Sequence, residues 1–201
     1  MERLPSEITA YQEKTGDLMV NARLKEMRLM EPQKRMEAIE QLEPSEESVE
    51  ILIAFLEDES HPVRFKAAEK LSEFGEASLE KLMEIMDTAE GEIRRYATFA
   101  LKKIGDPRVT DHFIEALSDE DWGVRKFAAR SLGELGDLRA VEPLIAALDD
   151  EDWGVKLAAV RSLGDLGDER AIEPIKKARR KGDKDFKKAA NKSLKKIQSG
   201  R

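Results

Sequence analysis

The feature that most constrains this chain is that it repeats itself. Residues 119–149 read DEDWGVRKFAARSLGELGDLRAVEPLIAALD and residues 150–180 read DEDWGVKLAAVRSLGDLGDERAIEPIKKARR, a period of 31. The frame continues upstream through HPVRFKAAEKLSEFG (61–75) and GEIRRYATFALKKIG (91–105), and downstream through KDFKKAANKSLKKI (184–197). Anchored on the apolar residue that opens the second half of each unit (Val63, Ile93, Val124, Val155, Phe186), the spacings are 30, 31, 31 and 31. Self-similarity at this period is the mark of a chain built from stacked supersecondary units.

Each unit divides into two helices. Val141, Leu144, Ile145 and Leu148 fall at i, i+3, i+4 and i+7, one apolar stripe, which defines helix A. Val124, Ala128, Leu132 and Leu135, with Ala129 beside them, form the stripe of helix B. Gly75, Gly105, Gly136 and Gly167 stand where helix B must stop at positive φ, and Asp106, Asp137 and Asp168 follow as expected N-caps of the next helix A. Pro107 then occupies a first helical position, where its missing N–H costs nothing.

No two-helix unit this small can bury both stripes alone, so neighbours must stack. The expected fold is all-α: a right-handed α-α superhelix, a solenoid of about five two-helix repeats with boundaries at 45–75, 76–105, 106–136, 137–167 and 168–198. The pairs Ala67-Ala68 and Ala128-Ala129 are expected to let its helices approach closely. Residues 1–44 do not repeat cleanly and read as an N-terminal helical cap or degenerate half repeat. Within them EPQKRMEAIEQL (31–42) places Ala38, Ile39 and Leu42 as a helix B would, and a Thr15-Gly16-Asp17 break separates a short helix from a Met-rich one at 17–30. Five of the seven methionines lie in residues 1–36, where they either cover the first repeat's open apolar face or offer an adaptable partner surface.

The pattern D-x-x-x-x-V-R, followed by A-A-x-x-L-G-x-L-G-D and A-[VI]-x-P-L, resembles the short HEAT repeats of the phycobilisome-lyase-like HEAT family. The likeness is most specific over 106–175. It implies a ladder in which an Asp of the A–B turn pairs with an Arg or Lys six residues later: Asp58 with Arg64, Asp119 with Arg125, and Asp150 with Lys156. Two places depart from it, because Asp87 lies seven before Arg94 and Lys181 stands where the last Asp would be.

The resemblance also implies that helix B lines a concave face and that this face binds. Helix-B residues directed away from the apolar stripe are then the candidate partner-binding residues: Phe65 with Lys66, Arg95, Tyr96, Phe99, Trp122, Lys126, Phe127, Arg130, Trp153, Leu157 and Arg161. Large aromatics and Arg are the residues interface hot spots favour. Trp122 and Trp153 fill the same slot of consecutive repeats; they either bind or pack against the adjoining turn.

Catalytic readings find little support. With no Cys and two His, thiolate chemistry and His-based metal sites have no material, and neither a metal nor a cofactor is expected. A HEAT-fold iron hydroxylase needs paired His-Glu ligands, but His61 precedes Pro62 and His112 precedes Phe113. A HEAT-like DNA glycosylase could be imitated by Trp122, Trp153, Asp121 and Asp152, yet both acids fit a turn or N-cap role. A bilin lyase, despite the family name, leaves no recognisable chemistry in these residues.

Charge is distributed unevenly. Residues 176–201 carry 12 basic and 2 acidic side chains, against a net charge of −7 for the whole chain, so 1–175 is strongly acidic. Lys184, Lys188, Lys192 and Lys196 step by four and should form one exposed basic patch, a polar end cap or a docking site for nucleic acid or a ribosome. No apolar run can span a bilayer and no secretory signal opens the chain, so a cytoplasmic protein is expected. The expected function is a non-enzymatic scaffold or adaptor that binds a protein partner through the helix-B face of the middle repeats. The alternative is a nucleic-acid-associated protein that docks through the basic C-terminal repeat.

Overall fold

A computed structural model describes residues 19–200, and every regular element among them is helical. In chain order these are α1 (19–28), α2 (Pro32–Glu40), α3 (Glu46–Ala54), α4 (His61–Phe74), α5 (Glu76–Thr88), α6 (Gly91–Ile104), α7 (Thr110–Glu115), α8 (Trp122–Leu135), α9 (Val141–Ala146), α10 (Trp153–Leu166), α11 (Ile172–Lys181) and α12 (Lys184–Gln198). The expected Thr15-Gly16-Asp17 break and the short helix before it lie outside the described residues. Two compact units divide the chain between Lys81 and Leu82, within α5.

In the second unit the helices B stack in sequence order, α6 on α8, α8 on α10 and α10 on α12. Helices α7, α9 and α11 pack as the helices A beside α8, α10 and α12. This is the all-α repeat stacking that the period implies. Its core follows the anticipated stripe: Val124, Ala128, Ala129 and Leu132 on α8 and Val155, Ala159 and Leu163 on α10 are fully buried, while Leu135 at the end of the α8 stripe is half-buried. In the first unit α2 packs on α4, and Pro32–Glu40 of the 31–42 segment is helical.

The helix ends follow local chemistry. Gly105, Gly136 and Gly167 close α6, α8 and α10 in the left-handed conformation, with φ of 69°, 76° and 72°. Asp106, Asp137 and Asp168 do cap, but they cap a 3-10 turn that precedes helix A and not the α-helix itself. Each accepts the N–H two residues on (Arg108, Arg139, Arg170) at 2.8–2.9 Å and also holds that Arg's guanidinium. The doubly engaged carboxylate fixes the chain entry one turn earlier than the apolar pattern suggests.

Glycines on helices B make close approaches to the next helix B. A Cβ on Gly133 of α8 would stand 2.5 Å from the Cβ of Ser162 on α10, and one on Gly164 would stand 2.6 Å from that of Ser193 on α12. Ala128 and Ala129, one turn earlier on α8, are fully buried as well.

The ladder exists in a different register from the one the resemblance implies. Arg64 and Arg125 donate to the backbone carbonyls of Asp58 and Asp119, at 2.7 and 2.8 Å. The Asp carboxylates instead receive the Arg of the preceding helix B. Arg35 reaches Asp58 at 3.0 Å, Arg94 reaches Asp119, and Arg125 holds Asp150 through both oxygens at 2.8 and 3.0 Å. A six-residue spacing matches the Arg-to-carbonyl bond, while the side-chain pairs lie 23 to 25 residues apart, six or more short of a full repeat. Arg94, which the implied register left out, therefore takes part. Lys156 has no carboxylate partner among the described residues, and Lys181 holds the sequence position its acid would fill.

Candidate partner-binding face

The predicted site residues separate by burial. Phe65, in the first unit, is 40% exposed, and Lys66 beside it is paired with Glu40. In the second unit Trp122 and Trp153 are 46% and 47% exposed, each as the first residue of its helix B. Arg130 and Arg161 are exposed, while Arg95, Phe99, Lys126 and Phe127 are half-buried. Tyr96 is buried, and Leu157 is buried apart from the edge it lends to the groove between α10 and α12. The reason is lateral packing: a helix B in a stack has neighbours on its flanks, so slots beside the stripe go under as well. On α10, held between α8 and α12, Leu157, Ala158, Ala159 and Val160 are buried in succession.

Five of the predicted residues form one cluster on α6 and α8. The Lys126 ammonium lies 4.4 Å from the centroid of the Trp122 ring and 5.4 Å from that of Phe127, and the Arg95 guanidinium lies 5.7 Å from Trp122. Phe127 meets Phe99 edge to face, with centroids 5.9 Å apart and planes at 64°. Lys103, absent from the sequence-based list, continues the row at 5.6 Å from Phe99. Cations over aromatic faces stabilise by about 0.5–1 kcal/mol each at exposed sites, so the cluster holds its own shape.

Asp121 sets this geometry. It accepts the N–H groups of Gly123 and Val124 at 2.6 and 3.1 Å, capping α8, and binds the Arg95 guanidinium through both oxygens. Burial alone would raise its pKa, but the Arg95 bond and the two backbone donors outweigh that and lower it. The same bond raises the pKa of Arg95. Gly123 leaves room for this arrangement, because a Cβ would stand 2.8 Å from both Arg95 Nε and Asp121 Oδ1 and those side chains would have to shift. Asp152 likewise caps α10 by accepting the Val155 N–H at 3.0 Å. A base or nucleophile role is unsupported for Asp121, whose oxygens are already committed.

The second half of the face lies between α10 and α12. The Trp153 indole N–H donates to Asp183 Oδ2 at 2.9 Å, which fixes the ring at the mouth of a groove of about 550 Å³. Leu157 and Arg161 of α10 line it on one side and Lys188, Lys192 and Lys196 of α12 on the other. The predicted basic patch and the predicted partner-binding residues thus meet in one place. Lys196 is paired with Asp165, whereas Lys184, Lys188 and Lys192 are exposed. Among the described residues no group of three or more His, Asp and Glu could hold a metal ion, and no helix is long and apolar enough to cross a membrane.

The HEAT-repeat family matches this chain over residues 20–102, 79–151 and 110–195. No curated protein matches it. Among solved structures it is similar to the complex of CpcE and CpcF of phycocyanin lyase from Nostoc sp. PCC7120, at 23% identity and a TM-score of 0.65, over 73% of this chain and 97% of that one. Computationally designed armadillo repeat proteins for modular peptide recognition superimpose at a TM-score of 0.60 and 18% identity, covering 88% of this chain and 92% of theirs. A designed armadillo repeat protein in complex with the peptide (KR)4 gives 0.55 at 17% identity, over 88% of this chain and 90% of that one. At these identities the likeness to the solved structures is one of fold.

Proposed function

We propose that this chain, which belongs to the HEAT-repeat family, is a non-enzymatic cytoplasmic scaffold that binds a protein partner through the helix-B face of α6 to α12. HEAT repeats generally serve as scaffolds, and the designed armadillo neighbours were made for peptide recognition. One observation carries the reading: Trp122 keeps nearly half its surface in water while Arg95 and Lys126 hold its ring in place. A large aromatic kept exposed and pre-positioned resembles an interface anchor, because little side-chain entropy remains to be lost on binding.

The test is affinity capture with the intact chain and with a Trp122→Ala/Lys126→Ala variant, both treated with nuclease. The expected outcome is a partner that survives nuclease and is lost with the variant, whose helix content is unchanged by circular dichroism. An unchanged set of captured proteins would refute the face, and loss on nuclease treatment would favour the nucleic-acid alternative.

A further inference from the structure

We infer that the groove between α10 and α12 is the subsite for an acidic, extended peptide segment that presents an apolar side chain between its carboxylates. The inference rests on the scaffold reading above and narrows the partner's chemistry. Two kinds of surface meet in the groove. Trp153, Leu157 and Ala189 supply apolar surface, and Arg161, Lys188 and Lys192 supply positive charge.

Charge complementarity selects the occupant. Arg161, Lys188 and Lys192 have no carboxylate partner among the described residues, whereas the acids on the groove are fewer and Asp165 is already taken by Lys196. Asp185 is the other acidic lining residue, so the groove keeps a positive excess. Lys188 and Lys192 are one helical turn apart on α12, and unrelieved like charge at that spacing disfavours a helix. A ligand with two or more carboxylates relieves it. The apolar half then decides between anions. A nucleic-acid backbone would satisfy the cations, but it offers no aliphatic side chain for the apolar lining to which Trp153, Leu157 and Ala189 contribute. Trp153, oriented by its bond to Asp183, lines the groove and offers its ring to that side chain.

The experiment uses the full chain and a fluorescein-labelled hexapeptide, Glu-Glu-Leu-Glu-Glu-Leu, followed by fluorescence anisotropy. Comparators are the peptide with both Leu replaced by Gly, the peptide with every Glu replaced by Lys, and a labelled hexadeoxythymidylate. The acidic Leu peptide should bind best, should weaken as salt rises, and should lose about tenfold in affinity with Lys188→Glu/Lys192→Glu. Those positions are exposed, so the variant should melt within a few degrees of the parent. As a second readout, the emission of Trp153 in a Trp122→Phe background should shift on peptide binding. The inference falls if the acidic peptide does not bind, if the groove variant binds it equally well, or if hexadeoxythymidylate competes with equal or greater affinity. If the peptide fails while Trp122→Ala/Lys126→Ala still abolishes capture, the scaffold reading survives and only this subsite is lost.

Discussion

Arg125 on α8 and Asp150, in the turn before α10, are joined by two hydrogen bonds of 2.8 and 3.0 Å, and both side chains are more than nine-tenths buried. The same guanidinium donates to the carbonyls of Asp119 and Glu120 at 2.8 and 3.0 Å, so it ties its own A–B turn to the next one. Asp150 raises the pKa of Arg125 further, and the charge is permanent across the accessible pH range. Truncating one member leaves the other charge buried. We expect Arg125→Met to cost about 3 kcal/mol in urea unfolding, and Asp150→Asn a similar amount. In a double-mutant cycle the two losses should be strongly non-additive; additive losses would mean that the pair does not act as a unit.

The ladder also shows how far the sequence could be read. The period, the two-helix unit and the glycine stops follow from spacing alone, because each is set by local geometry. Arg35 was not legible, since the segment around it departs from the repeat and nothing nearby signals that Asp58 lies 23 residues on as its partner. The Arg125–Asp150 pair was hidden by a competing regularity: the six-residue Asp-to-Arg spacing is real but serves a carbonyl. On the binding face, Trp122, Lys126 and Phe127 were legible as residues off the apolar stripe. Tyr96 was misplaced because helical periodicity describes one helix, and burial on the flanks is decided by the helices beside it.

Gly133 should be intolerant of a change that ordinarily helps a helix. In an isolated helix Gly→Ala stabilises by about 1 kcal/mol. Here the new Cβ would stand 2.7 Å from the Ser162 Cα, so backbone as well as side chain must move. We expect Gly133→Ala to destabilise by about 1–3 kcal/mol, read as a fall in the denaturation midpoint. Gly164→Ala should behave alike against Ser193. A stabilised Gly133→Ala variant would show that the α8–α10 crossing is looser than described.

The turn aspartates should contribute to the acid limb of stability. Asp106 has its pKa lowered from 3.8 to about 2, chiefly by the Arg108 guanidinium and then by the Arg108 N–H. Asp137 and Asp168 are lowered likewise by Arg139 and Arg170. A carboxyl whose folded pKa lies below its unfolded value stabilises the fold above the unfolded pKa, and that contribution is lost as pH falls toward the folded one. For Asp106 the window runs from roughly pH 4 down to about 2. The contribution of Asp106 should therefore be flat near neutrality and decline within that window, and those of Asp137 and Asp168 should likewise be lost as pH falls. Asp106→Asn should make the decline shallower in acid titrations followed by circular dichroism, and an unchanged acid limb would show that Asp106 does not contribute.

Trp122 and Tyr96 offer a direct test of whether the exposed aromatics serve packing or binding. Tyr96 is buried on α6, so Tyr96→Ala should leave a cavity and cost about 3 kcal/mol. Trp122 is 46% exposed, and its ring is held by Arg95 and Lys126 at 5.7 and 4.4 Å. Trp122→Ala forfeits mainly those two contacts and should cost about 1 kcal/mol in stability. Its effect on partner affinity should be larger, about 2 kcal/mol if it is an anchor. Trp122→Phe should recover part of the binding, since a ring remains between the cations. Unfolding curves and partner titrations of the same three variants separate the cases. If Trp122→Ala destabilises as much as Tyr96→Ala while its folded fraction binds normally, Trp122 is a structural residue of the turn and the binding face must be sought elsewhere.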